Sequence, residues 1–164
     1  MRYSFKILLA LTLFSLSAST ADSQSFARDS QSVTESDSVA VQKTAGQFIQ
    51  AFINLEWERF RSFFAADATA FFPPSAQFPR RANSKAEIEN VFRVVFDGAR
   101  KQKSGSPYLS IEPKEIKVQM LGDVAIVTFH LEDPGMFGRR TMVFQKRGKQ
   151  WLIVHLHASG VMTP

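Results

Sequence analysis

The chain has 164 residues, 45% of them hydrophobic and 21% charged, and its formal net charge is +5 at pH 7. This balance excludes a protein that is disordered throughout, because enough apolar surface is present to bury a core. The sequence has no cysteine, which excludes a disulfide framework, thiolate metal sites and a cysteine nucleophile.

Residues 1–21 have the three-part layout of a secretory signal peptide. Two basic residues, Arg2 and Lys6, precede an apolar run over 7–16, and small residues follow up to Ala21. The run is shorter than the roughly 20 residues that a membrane-spanning helix needs, so an uncleaved anchor is the less favoured alternative. We expect cleavage after Ala21, a periplasmic or secreted location, and no membrane association of the mature protein.

The next segment, 22–37, is rich in Ser, Asp and Gln without apolar periodicity, which predicts a flexible linker. One folded domain, 38–164, follows it. Its basic residues are scattered in pairs such as Arg139-Arg140. A nucleic-acid site would gather them on one face with stacking aromatics, so we expect no nucleic-acid partner.

Helical periodicity predicts three helices in the first half of the domain. The first spans about 38–53, where apolar residues recur at helical spacing. Asn54 is expected to cap a second, shorter helix that presents Trp57, Phe60, Phe63 and Phe64 inward. A third helix begins at a capping box made by Ser84 and Glu87.

Strands are predicted where the apolar period becomes two. An early strand over 68–72 is stopped by two prolines. After Pro107, short turns separate five further segments, which must be antiparallel neighbours: 108–112, 115–120, 123–131, 139–147 and 151–158. The order predicts an α+β domain whose bent sheet wraps the helices.

Two stretches carry a family resemblance: F-A-A-D-A-T over 64–69 and W-L-I-V-H-L-H-A-S-G over 151–160. With the element order, they make the chain resemble the SnoaL-like branch of the nuclear transport factor 2-like superfamily. The last stretch is also similar to the association domain of calmodulin-dependent kinase. The resemblance implies a cone-like α+β barrel, also called cystatin-like. Its curved antiparallel or mixed sheet wraps three N-terminal helices, encloses a pocket, and forms a homodimer through the sheet.

The same resemblance allows a test for steroid-isomerase chemistry. Relatives of the ketosteroid isomerase kind place a carboxylate base just before the proline that ends the first strand, and a tyrosine on the first helix. Phe72 and Phe48 occupy those places in this sequence. A phenyl ring neither accepts nor donates a proton, so that catalytic machinery is not expected here.

Phenylalanine is unusually frequent, with 16 residues in the chain. A small domain cannot easily bury so many rings unless some line a void, which predicts an apolar ligand pocket. The alternative is that the rings are ordinary core. The expected wall consists of Phe48, Phe52, Phe72, Phe78 and Phe96, with Tyr108 as a polar tip.

The three histidines permit more than one interpretation. His155 and His157 alternate and share one face of the last strand, with His130 on a nearby strand. Three imidazoles in this arrangement can hold zinc. Alternating histidines are also common where a strand faces a partner subunit, and we therefore expect no metal and no cofactor. A polar role for His155 at the pocket mouth or the dimer seam is favoured.

Arg139 and Arg140 are adjacent, so they point to opposite faces of their strand. The inward one would be a natural partner for a ligand carboxylate, because the guanidinium fork matches both oxygens. A buried ion pair with Asp67, Glu132 or Asp133 is the favoured interpretation of the inward arginine. Arg140 is the candidate ligand partner, but the sequence does not decide which of the two points inward, because a one-residue change in the following hairpin would reverse the faces.

The favoured function is the binding of a small apolar or weakly acidic molecule. One alternative is an isomerase, hydratase or cyclase that uses His157 or Asp67 as its base; another is an oligomerisation module without a ligand. No nucleophile elbow, zinc-protease motif or phosphate-binding loop is present in the sequence.

Overall fold

A computed structural model describes residues 21–73, 75–133 and 136–162. Apart from Ala21, the expected signal peptide lies outside the described residues, and its cleavage stays a prediction. Within the described ranges, no helix combines the length and the hydrophobicity required to cross a membrane.

The first helix, α1, runs from Ala21 to Ile53. It ends where the sequence predicts but begins earlier, so residues 22–37 are part of the helix. Neither proline nor glycine occurs between Ala21 and Ala45, so no residue in that stretch ends the helix. The division into signal, linker and domain stays a prediction.

The second helix, α2, spans Trp57–Ser62. The prediction that Asn54 caps it is wrong: Glu56 is the N-cap and makes no side-chain cap bond. Asn54 instead donates from Nδ2 to Glu56 Oε1, 3.4 Å away. Phe64, which we expected in this helix, begins the first strand.

The third helix, α3, spans Lys85–Gln102 and begins at the predicted cap. The Glu87 backbone N–H donates to Ser84 Oγ at 3.3 Å. The Glu87 carboxylate accepts from the backbone N–H of Asn83 at 2.9 Å, one residue before the position that a standard capping box uses. Both interactions satisfy free amide groups at the start of the helix.

Six strands form one mixed sheet: β1 Phe64–Phe71, β2 Arg81–Ala82, β3 Pro113–Leu121, β4 Val124–Asp133, β5 Met136–Arg147 and β6 Gln150–Met162. Their order is β2-β1-β6-β5-β4-β3, with β1 parallel to β6 and the other pairs antiparallel. The predicted α+β class and the antiparallel meander are confirmed. The sheet is open, because β2 and β3 lie at its two edges.

The predicted strand over 108–112 does not form. The backbone N–H groups of Tyr108 and Leu109 both donate to the carbonyl of Ile53, at 3.0 and 3.2 Å. These amides therefore satisfy the end of α1, and they are not available for a strand ladder.

A β-bulge in β6 decides which of its side chains face the helices. Phe144 of β5 pairs with Ile153, whereas its neighbour Val143 pairs with His155, so Val154 is an extra residue. Before the bulge, Ile153 is buried; after it, Leu156 is buried and His155 is not. The inward set therefore changes from odd to even positions in the middle of the strand.

Aromatic rings fill the core between the helices and β1. Phe60 is fully buried at the centre, and its ring lies 4.6 Å from Phe92, 5.1 Å from Phe48 and 5.1 Å from Phe96, centroid to centroid. Such offset and edge contacts are favourable for aromatic pairs. We call this group, together with Phe52, Trp57 and Phe64 around it, the Phe60 cluster.

Candidate ligand cavity

A cavity of about 230 Å³ lies between α1, α3 and the inner face of strands β4, β5 and β6. Its volume exceeds the roughly 150 Å³ in which an engineered apolar cavity holds benzene. The wall is almost wholly hydrocarbon and consists of Phe48, Ile49, Phe52, Phe72, Pro73, Phe78, Val91, Phe92, Val95, Ile111, Phe129, Leu131, Arg140, Leu156 and Ala158.

The regular spacing of residues within each helix and strand places the side chains of this wall. Val91 and Val95 are four residues apart on α3, as Phe48 and Phe52 are on α1, so each pair faces the same way. In the sheet, Arg140 is the cross-strand partner of Phe129 on β4 and of Ala158 on β6. These side chains therefore lie side by side across three strands.

Arg140 is the inward member of the arginine pair. It is half-buried in the cavity wall, whereas Arg139 is exposed on the opposite face. Arg140 Nη1 donates to the carbonyl oxygens of Arg139 at 2.7 Å and Ser159 at 3.0 Å. Burial lowers the pKa of Arg140, although a guanidinium stays protonated in proteins.

Two of the three carboxylates considered as partners of Arg140 have other partners. Asp67 accepts from Arg147 Nη2 at 2.8 Å, and this hydrogen bond lowers the pKa of Asp67. Glu132 Oε1 lies 2.9 Å from His130 Nε2. The side chain of Asp133 lies outside the described side chains.

Four of the five expected wall rings line the cavity: Phe48, Phe52, Phe72 and Phe78. The assignment of Phe96 to the wall is wrong: its ring is almost wholly buried against Phe60 and does not reach the cavity. Tyr108 is also not in the wall. It borders a separate surface groove beside α3, because its backbone is bonded to the end of α1.

His155 is not at the cavity, because the bulge at Val154 turns it to the outer face of the sheet. There its Nδ1 lies 2.8 Å from Thr69 Oγ1. Burial lowers the pKa of His155, and repulsion by the nearby charges of His157 and Arg81 lowers it further.

The two residues considered as bases, His157 and Asp67, also lie outside the cavity, and both are exposed. The ring of His157 packs 6.0 Å from Phe71 on the outer face. Over the described part of the chain, no group of three His, Asp or Glu side chains is arranged to hold a metal ion. The zinc arrangement considered for the three histidines therefore does not form there.

Sequence reasoning missed much of the sheet's share of the wall. Phe129 and Leu131 continue a buried alternation that begins at Ala125 and Val127, so the period of two in β4 could have identified them. Leu156 and Ala158 could not be found in this way, because a bulge leaves no reliable mark in one sequence.

An open sheet packed on helices around an apolar cavity defines an α+β fold of the nuclear transport factor 2-like class. The chain belongs to the SnoaL-like domain family, which matches residues 41–164. This confirms the resemblance drawn from the sequence. No curated protein has a significant match to this chain.

Solved structures agree on the fold. An NTF2-like protein of unknown function from Pseudomonas putida is 19% identical, with a TM-score of 0.64 over 76% of this chain and 87% of that one. A candidate dehydratase of the NTF2-like family from Streptomyces avermitilis is 18% identical, with a TM-score of 0.64 over 79% and 99%. A ketosteroid isomerase-like protein from Erwinia carotovora is 19% identical, with a TM-score of 0.59 over 78% and 98%. At these identities the likeness establishes the fold alone.

Proposed function

We propose that this protein binds a small, largely apolar organic molecule in the cavity. The observation that carries the proposal is the void itself, because fourteen of its fifteen lining residues are apolar. Six of these are phenylalanines, five from α1, α3 and the segment after β1 and one from β4. Rings from the same helices pack closely in the Phe60 cluster. A concave apolar site with one polar group is typical of small-molecule binding.

Binding is favoured over base catalysis by the composition of the wall. One fold relative is described as a candidate dehydratase and another as an isomerase-like protein, and isomerisation or dehydration needs a group that takes up a proton. Among the described side chains of the wall, the ionisable group is Arg140, which is a donor and not a base. A ligand-free oligomerisation module is less favoured, because an unfilled cavity costs stability without serving that role.

The proposal also includes where the protein is located and how two copies of it assemble. The signal-like N-terminus supports export to the periplasm or beyond. We place a second copy of the chain on the outer face of the sheet, where Phe71 is 39% exposed beside His155 and His157. Phe71→Glu should lower the molecular mass measured by sedimentation from dimer to monomer. Val94→Glu, at an exposed site on α3, should leave it unchanged.

The binding proposal can be tested by filling the cavity. Val91 is buried in the wall, whereas Val94, less than one turn away on α3, is exposed, so Val91→Phe and Val94→Phe form a matched pair. The probe is octanamide, a neutral amphiphile, and its binding is measured by titration calorimetry. Native mass spectrometry of protein purified from its own host would report any retained molecule.

We expect octanamide to bind wild type and Val94→Phe equally and Val91→Phe at least about 10-fold more weakly, because the new ring occupies the ligand's space. Thermal unfolding of each variant checks that the fold is kept. Equal binding by both variants would overturn the proposal, and so would failure of wild type to bind both octanamide and its carboxylate analogue octanoate.

A further inference from the structure

We propose that the ligand of this cavity is a monocarboxylate, an apolar body whose single carboxylate pairs with Arg140. The inference rests on the proposed function and adds the chemical class of the ligand. Its starting point is the contrast between one cation and a hydrocarbon wall. A charge removed from water is costly unless it gains a partner of opposite sign, and the partners that Arg140 has in the described structure are neutral carbonyls.

The hydrogen bonds of Arg140 to described residues use one nitrogen of its guanidinium and leave the other two nitrogens without a partner in the described structure. Both bonds come from Nη1, which donates to the carbonyls of Arg139 and Ser159. The guanidinium has five N–H donors, so those on Nε and Nη2 remain for a ligand. A pair of parallel N–H groups fits the two oxygens of a carboxylate, and such bidentate pairs are among the strongest hydrogen bonds in proteins.

The two carbonyls also hold the guanidinium in position. One belongs to β5 and the other to β6, so the side chain is fastened to both strands beside the cavity. A cation that is already fixed loses little conformational freedom when the ligand arrives. The arrangement therefore favours recognition of a charge at one defined point of the wall.

Gly138 provides the room that this position requires. It lies two residues before Arg140 on the same face of β5, and it is buried. A Cβ at residue 138 would lie 3.1 Å from Arg140 Nη1 and 3.4 Å from Nη2. Its φ is not in the left-handed region, so the backbone does not demand glycine there. We therefore assign Gly138 as a positioning residue for the guanidinium.

The rest of the wall limits the body of the ligand. The cavity of about 230 Å³ suits a medium-length acyl chain or one to two rings, and the described wall supplies one cation for one negative charge. A dianion such as a phosphate monoester would bury a second charge without a partner. A hydrocarbon chain with a terminal carboxylate would pack against the aromatic rings and pair with Arg140.

The test compares two isosteric probes, octanoate and octanamide, by titration calorimetry at pH 7. Wild type should bind octanoate at least about 10-fold more tightly than octanamide, as expected for a charge-assisted pair. Arg140→Met should abolish this preference while keeping octanamide binding. Arg139→Met, which removes the neighbouring charge on the opposite face, should keep the preference and is the matched control.

Gly138→Ala tests the positioning role separately. We expect octanoate to bind about 10-fold more weakly and octanamide to bind as before, because the added methyl group displaces the guanidinium without filling the cavity. Gly98→Ala is the control, since a Cβ there meets no atom within 4 Å. Equal losses for both probes in Gly138→Ala would overturn this assignment.

The outcomes distinguish failure of the carboxylate assignment from failure of the proposed binding function. Equal affinity of wild type for octanoate and octanamide overturns the carboxylate assignment and leaves the binding function standing. No binding of either probe overturns both. If Asp133→Asn creates an octanoate preference that wild type lacks, Arg140 is neutralised within the chain and the assignment is wrong.

Discussion

The Phe60 cluster and the cavity share two helices but differ in how completely they are packed. Three rings, Phe48, Phe52 and Phe92, belong to both: they lie 5.1, 5.8 and 4.6 Å from Phe60, centroid to centroid, and each also lines the void. Around Phe60, rings from α1, α2, α3 and β1 contact one another. On the cavity side, the sheet presents the small Ala158 and the charged Arg140. Packing is thus incomplete where small and charged residues stand opposite the rings.

The largest effect should come from removing the centre of the cluster. Phe60→Ala should lower the free energy of unfolding by about 3–5 kcal/mol, because it deletes a fully buried ring among packed neighbours. Phe78→Ala, at the half-buried edge of the cavity, should cost less than about 2 kcal/mol. Denaturant unfolding of both variants measures the difference. Equal losses would mean that the two regions are packed alike.

An intermediate effect is expected from adding volume to each region. Ala70→Leu, at a fully buried position of β1, should lower the free energy of unfolding by about 1–3 kcal/mol through overpacking. Ala158→Leu should change it by less than about 1 kcal/mol, because the added methyl groups enter the void. Thermal and denaturant unfolding provide the comparison. A comparable loss at residue 158 would contradict the presence of usable space there.

The smallest effect concerns pH and the outer face. The pKa of His155 is lowered from its ordinary value of 6.5, by burial first and then by the charges of His157 and Arg81. The unfolded chain therefore takes up its proton more readily than the folded one. Stability should fall as the pH drops below about 6.5, and it should stop falling once the pH is below the folded pKa.

His155→Gln should remove this part of the pH dependence. The measurement is the denaturant midpoint between pH 7.5 and 5, compared between wild type and variant. His130→Gln, which removes an imidazole bonded to Glu132, is the control. An unchanged slope in His155→Gln would show that another group causes the loss at low pH.

Local signals in the sequence predicted the parts of the fold that depend on local physics. The cap at Ser84 and the apolar stripe of α3 are examples, since both are fixed by residues within one or two helical turns. The strand predicted at 108–112 failed because its amides bond to Ile53, more than fifty residues away. A single sequence does not reveal a partner at such separation.

The cavity wall, like the fold, could be predicted from the sequence only in part. The rings on α1 could be assigned to the wall from helical spacing, and the family resemblance locates Phe48 and Phe72. Phe96 could not be separated from them, because the Phe60 cluster and the cavity draw on the same stripe of α3. The side that His155 occupies depends on the register of β6, which the bulge at Val154 sets. Arg140 instead follows the unbroken alternation of the buried Met142 and Phe144 on β5.

That bulge has a consequence for how such a pocket could change. Strand β6 has aliphatic groups on one side, at Leu156 and Ala158, and imidazoles on the other, at His155 and His157. Moving the extra residue two places toward the C-terminus would exchange His155 with Leu156. An imidazole, which can transfer protons, would then line the cavity without any change in amino-acid composition. A change in strand pairing alone would therefore add an acid–base group to an apolar cavity of this fold.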